Sequence, residues 1–99
     1  MSHAKEVQRI HLYPGYLTKV ACAGRLLASG VGNENLVRRE ALPKDLGCGI
    51  WLVPLVSSGS TNLILETSAG SIEVLVDVVP ASRQVQIGDL KYEFKGDTK

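Results

Sequence analysis

The run Ile50-Trp-Leu-Val-Pro-Leu-Val56, the small-residue stretch Ser57-Ser-Gly-Ser60 and the run Thr61-Asn-Leu-Ile-Leu-Glu-Thr67 constrain this chain more than any other feature. A nearly continuous apolar segment breaks at residues suited to a turn, and a second segment with strand chemistry follows. The expectation is a β-hairpin whose first arm is a central, buried strand. Pro54 is the misfit in that arm. It has no N–H to give to a ladder, so it should mark a bulge or an edge segment. Trp51 is expected in the core, because only 5% of the chain is aromatic and Val, Leu and Ile need one large partner. Exposed instead, with Tyr13, Tyr16 or Tyr92 nearby, it would suit a sugar-stacking or protein-docking platform.

The rest of the chain reads the same way. Strand signals cover Val7–Tyr13, Leu17–Cys22, Arg25–Ser29, Leu36–Ala41, Asn62–Thr67 and Ile72–Val79. Pro14-Gly15, Ala23-Gly24, Asn33-Glu34-Asn35 and Ser68-Ala-Gly-Ser71 punctuate them. Pro presets φ and Gly accepts a positive φ, so both serve turns. Ile72, Val74, Val76 and Val78 alternate with Glu73, Leu75, Asp77 and Val79, which requires one buried face. Leu63, Leu65, Ile72, Val74 and Val76 should form the core of one hairpin around Ser68–Ser71. Gln84–Ile87 and Leu90–Phe94 suggest a last hairpin around Gly88-Asp89. Pro43 to Gly47 has room for one helical turn. No segment of ten or more residues shows a 3.6-residue period. About seven or eight short strands at this spacing imply an all-β fold, a small antiparallel β-sandwich or barrel. The 99 residues suit a single sandwich domain, with 1–6 and 95–99 expected to fray.

Charge narrows the function. Eleven basic and ten acidic side chains leave a formal net charge of +1, which gives no general attraction to nucleic acid or an anionic membrane. No stretch approaches the ~20 apolar residues of a membrane helix, so no direct span is expected. Cys22 and Cys48 have no His or Cys at metal-ligand spacing. They are either two buried free thiols or one disulfide on neighbouring core strands. A bridge of that span would add roughly 3–4 kcal/mol in an oxidising compartment.

Catalytic signals are missing. His3 sits in the N-terminal tail, and His11 has no motif to supply a positioned partner. No serine lies in Gly-x-Ser-x-Gly. Asp45, Asp77 and Asp89 lack metal-loop spacing. Gly30-Val-Gly32 precedes no helix, so a phosphate loop fails. The chain is therefore expected not to be an enzyme and to need no cofactor and no metal.

From Tyr13 to Val79 the order of features resembles one known family. The pieces are Tyr13-Pro14-Gly15 with Thr18-Lys19-Val20, Leu27-Ala-Ser-Gly-Val-Gly-Asn33, Ile50-Trp-Leu-Val-Pro-Leu55 and Thr61-Asn-Leu-Ile-Leu-Glu-Thr67. They resemble the N-terminal β-domain of the outer-membrane core subunit of type IV secretion and conjugation systems. Two departures stand out. That family tends to carry an aspartate near Asn33 and then an aromatic, where this chain has Leu36-Val37. It also tends to follow the second threonine with a basic residue and a tyrosine, where this chain has Ser68-Ala-Gly-Ser-Ile72. The glycine turn is similar to a second family, the N-terminal domain of pilus-assembly secretins.

Both resemblances imply a non-catalytic periplasmic or outer-membrane-associated structural module of a secretion, conjugation or pilus-assembly machine. The implied partners are other subunits of that complex, with homo-oligomers in the full-length context. They also imply a chain that starts after a removed signal, whereas composition leaves a cytoplasmic reading open. Contacts are expected through sheet edges and loops. The N-terminal strand, with Ile10, His11, Leu12 and Tyr13, is the expected docking edge, because Lys91 and Lys95 guard the C-terminal strand. The alternative is a ligand-binding β-sandwich of carbohydrate or adhesin type using Trp51 and its tyrosines.

Overall fold

A computed structural model describes residues 8–94. Among them, eight strands form two four-stranded sheets. The strands are β1 Gln8–Leu12, β2 Thr18–Cys22, β3 Leu26–Val31, β4 Val37–Ala41, β5 Cys48–Pro54, β6 Gly59–Thr67, β7 Gly70–Val78 and β8 Lys91–Phe94. Single 3-10 turns at Lys44–Leu46 and Ile87–Leu90 are the only helical elements among the described residues. None is long and apolar enough to cross a membrane. The first sheet runs β1-β7-β6-β3 and the second β4-β5-β2-β8. The protein is a small all-β sandwich. The frayed tails expected at 1–6 and 95–99, and with them His3 and Lys95, lie outside the described residues.

Alternation builds the core. Ile10 and Leu12 of β1, Leu63 and Leu65 of β6, and Ile72, Val74, Val76 and Val78 of β7 line the inner face of the first sheet. Val20, Val37, Ile50 and Leu52 line the inner face of the second. All are nearly or fully buried, and the two faces share one apolar cluster. The β6–β7 hairpin closes with Thr67 opposite Gly70, as the alternation from Ile72 to Val78 requires. The Thr67 hydroxyl donates to the Gly70 carbonyl at 2.8 Å and accepts from the Ala69 N–H at 3.0 Å.

Four expectations need correction. First, β5 and β6 are not hairpin partners. β5 is flanked on both edges by β4 and β2, so it has no free edge for β6, and residues 55–58 cross to the other sheet. Second, the bulge reading of Pro54 falls and the edge-segment reading holds: it ends β5 where β4 alone runs beside it. Its missing N–H would point toward β2, but β2 begins at Thr18 opposite Leu52, so no ladder donor is lost there. Third, Gln84–Ile87 is no strand. Asp89 accepts from the Gln86 N–H at 2.9 Å in a reciprocal capping box, which winds Ile87–Leu90 into a 3-10 turn. β8 then pairs with β2 instead of folding back. Fourth, Trp51 is half-buried on the outer face of the second sheet, between Lys19 and Glu40 on the neighbouring strands. Period 2 forces this: Ile50 and Leu52 take the inner face, so Trp51 cannot.

Both terminal strands lie at sheet edges, and both pair in parallel: β1 with β7, and β8 with β2. The remaining pairings are antiparallel. Among the described residues the one register shift is in β3, at Leu26/Ala28. Gly49 permits the tightest approach. A Cβ there would meet the Val20 carbonyl oxygen at 2.5 Å, so only glycine lets β5 pass this close to β2.

Candidate functional site

The features with binding potential sit at the four sheet edges. β1 and β8 share one side of the sandwich, and β3 and β4 share the other. The edge expected to dock, β1, has Ile10 and Leu12 fully buried, so their side chains serve the core. His11 is exposed and Tyr13 half-buried. The His11 N–H points away from β7, but it meets the Tyr92 hydroxyl at 3.1 Å, and that hydroxyl also lies 3.5 Å from the His11 carbonyl. Tyr92 stands on the inner side of β8, opposite Val20. Its ring closes the gap between the two sheets, and its hydroxyl caps the β1 backbone. Tyr92 therefore faces away from Trp51 and builds no aromatic platform with it.

Asp77 gathers the largest polar cluster beside that edge. It lies on the outer face of β7, opposite His11 on β1 and Ser60 on β6. The Ser60 hydroxyl donates to it at 2.6 Å, and the Arg9 guanidinium forms an ion pair with it. The Ser60 hydrogen bond, and then Arg9, hold the Asp77 carboxyl below the usual carboxylate range. The His11 Nε2 is 3.8 Å away. Serine, acid and histidine are thus adjacent but in the wrong order for nucleophilic catalysis. A relay needs the base between serine and acid. Here the acid stands between serine and histidine, so the serine proton points at a carboxylate. The cluster pins β1 to β7 and β6. Sequence reasoning missed it because its members are separated by as many as 68 positions and only strand register unites them.

Cys22 and Cys48 are directly opposed on β2 and β5, with Cα atoms 5.1 Å apart and their sulfurs bonded. The bridge ties two core strands beside Phe94 of β8. At the start of β2, the Thr18 hydroxyl is buried without a hydrogen-bond partner among the described residues. Among these residues no group of three or more His, Cys, Asp or Glu side chains is placed to hold a metal ion.

The β3–β4 side is built differently. A groove of about 410 Å³ opens there, with Val37 as its floor and Ser29, Glu34, Arg39 and Leu55 around it. Arg39 bridges the sheets through Nε to the Ser29 hydroxyl at 3.1 Å, and its guanidinium lies 3.3 Å from Glu34. The Leu55 N–H bonds the Leu36 carbonyl, and the Leu42 N–H bonds the Gly49 carbonyl. Alternation then turns the N–H and C=O groups of Val37, Arg39 and Ala41 away from β5, toward the open edge. They have no partner among the described residues. β3 breaks its own edge with the shift at Leu26/Ala28. β8 is four residues long and exposes Lys91 and Glu93. Among the described residues β4 is the longest edge strand with neither a register shift nor a side-chain cap.

No family model matches this chain, and no curated protein matches it.

Proposed function

We propose that this chain is a non-catalytic interaction module of a bacterial cell-envelope machine for secretion, conjugation or pilus assembly, working in the periplasm through sheet-edge contacts. The observation that carries the reading is the unguarded edge of β4, among the described residues the longest edge strand with neither a register shift nor a side-chain cap. Such an edge accepts a partner strand by main-chain hydrogen bonds, and no reacting group is needed for that. The Cys22–Cys48 bridge supports an oxidising compartment. The resemblance of Tyr13–Val79 to envelope-machine domains supplies the kind of machine. Among the described residues His11, Ser60 and Asp77 bring catalytic residue types together, with the acid between serine and histidine, and Arg9 ties β1 to that acid.

The test places a photoreactive residue at Arg39, Ala41 or His11 of the full-length protein in its native cells and identifies what cross-links. Thiol labelling of the same cells, before and after reduction, reports the compartment. Cross-links from positions 39 and 41 to envelope subunits, with no free thiol before reduction, are expected. A reduced, cytosolic protein without envelope cross-links would contradict the reading.

A further inference from the structure

The β4 edge has a property beyond being open: its sequence is complementary to itself. The strand reads Val37-Arg38-Arg39-Glu40-Ala41. Antiparallel pairing with a second copy about a twofold axis at Arg39 sets Arg38 opposite Glu40 of the partner subunit, and Val37 opposite Ala41 of the partner subunit. The backbone parity fits. Val37, Arg39 and Ala41 are the residues whose N–H and C=O groups face outward, and they are the ones this register pairs with one another. Arg38 and Glu40 are both exposed on the outer face. Neither has an ion-pair partner among the described residues.

The one like-charge contact in this register is Arg39 against Arg39 of the partner subunit, and the fold relieves it. Each guanidinium is drawn off the axis toward Ser29 and Glu34 of its own chain. Other registers lose the match. Shifting by one residue turns every side chain to the wrong face, and the β5-facing backbone groups are already bonded.

We propose that β4 is a self-association edge: two copies of this chain pair antiparallel along Val37–Ala41, joining their β4-β5-β2-β8 sheets into one continuous sheet. The proposal deepens the edge-contact half of the reading above and is independent of the compartment half. The ladder is short and buries little apolar surface, so the dimer is weak and depends on concentration. Copies held close in a larger assembly would still pair.

Sedimentation velocity of the oxidised chain, from roughly 1 µM to 1 mM, tests this. A reversible dimer is expected. Arg38→Glu or Glu40→Arg alone sets like charges across the axis twice per dimer and should weaken it about tenfold. The combined exchange, Arg38→Glu with Glu40→Arg, restores the match and should recover affinity to within about threefold. Ala41→Pro removes an outward N–H that the monomer does not use and should abolish dimerisation with an unchanged circular-dichroism spectrum. Wild-type protein that stays monomeric throughout the range would overturn the proposal. So would a dimer indifferent to the charge exchange and to Ala41→Pro. A monomer that still cross-links to envelope subunits would overturn this pairing and leave the module reading standing.

Discussion

The two long sides of the sandwich close in different ways. On the β1–β8 side the terminal strands are fastened by side chains. Tyr92 spans from β8 to the His11 backbone, Asp77 gathers Arg9 and Ser60 around β1, and the Cys22–Cys48 bridge lies one strand inward. On the β3–β4 side, Arg39 reaching Ser29 is the polar link between the sheets, and a groove remains beside it. Parallel terminal strands lack a short turn to hold them, so side chains must do so. The strands of the other side enter through connected loops and leave a clean edge. The side that needs fastening for stability is therefore the poorer docking surface.

The contrast can be broken from the core outward. Val74 lies fully buried between Gln8 of β1 and Leu63 of β6. Val74→Asp should leave an unpaired charge in the shared core and cost on the order of 5 kcal/mol, enough to unfold a domain this small. Loss of the cooperative melt by circular dichroism checks this. Next in size is the bridge. Its half-cystines are separated by 26 positions, so replacing both with Ala should lower stability by about 3–4 kcal/mol in urea unfolding, with the fold retained.

Asp77 gives a smaller effect with a defined pH sign. Its carboxyl is held below the usual range by Ser60 and then Arg9. Its stabilisation is present above the unfolded-state value near ~4 and is lost as pH falls through the lower folded value. Asp77→Asn should cost about 1 kcal/mol at neutral pH, since Arg9 is half exposed. The gap to wild type should close as pH drops below about 4. A gap independent of pH in paired thermal melts would show that the charge is idle. Smallest is Tyr92→Phe. It removes the cap on β1 but leaves an exposed N–H that water can satisfy, so the loss should be near ~0.5 kcal/mol.

How much of this was legible in the chain differs by feature. Alternation from Ile72 to Val78 and the turn at Ser68–Ser71 marked the β6–β7 hairpin correctly, because both signals are local. The bridge partners were visible as a pair, but a free-thiol reading was equally available from spacing. Local turn chemistry misled where sheet membership decides: Ser57–Ser60 looks like a hairpin turn, yet β5 already has neighbours on both edges. Gly88-Asp89 misled for a local reason: Asp89 caps Ile87–Leu90 as a 3-10 turn. The N-terminal strand reads as the docking edge because Lys91 and Lys95 guard the C-terminal one. Both terminal strands do lie at sheet edges, but the Tyr92 cap on β1 depends on two residues 81 positions apart. The open β4 edge was hidden likewise, because an unpaired N–H is a property of register and not of residue type.

His11 is a closed edge position and Arg39 an open one, and amide hydrogen exchange reads both backbone sites in one sample. In dilute oxidised protein the His11 amide should exchange slowly, while Val37, Arg39 and Ala41 exchange like unprotected amides. Raising the protein concentration should protect those three and leave His11 unchanged. Slow exchange at Arg39 in dilute protein, or free exchange at His11, would contradict the account.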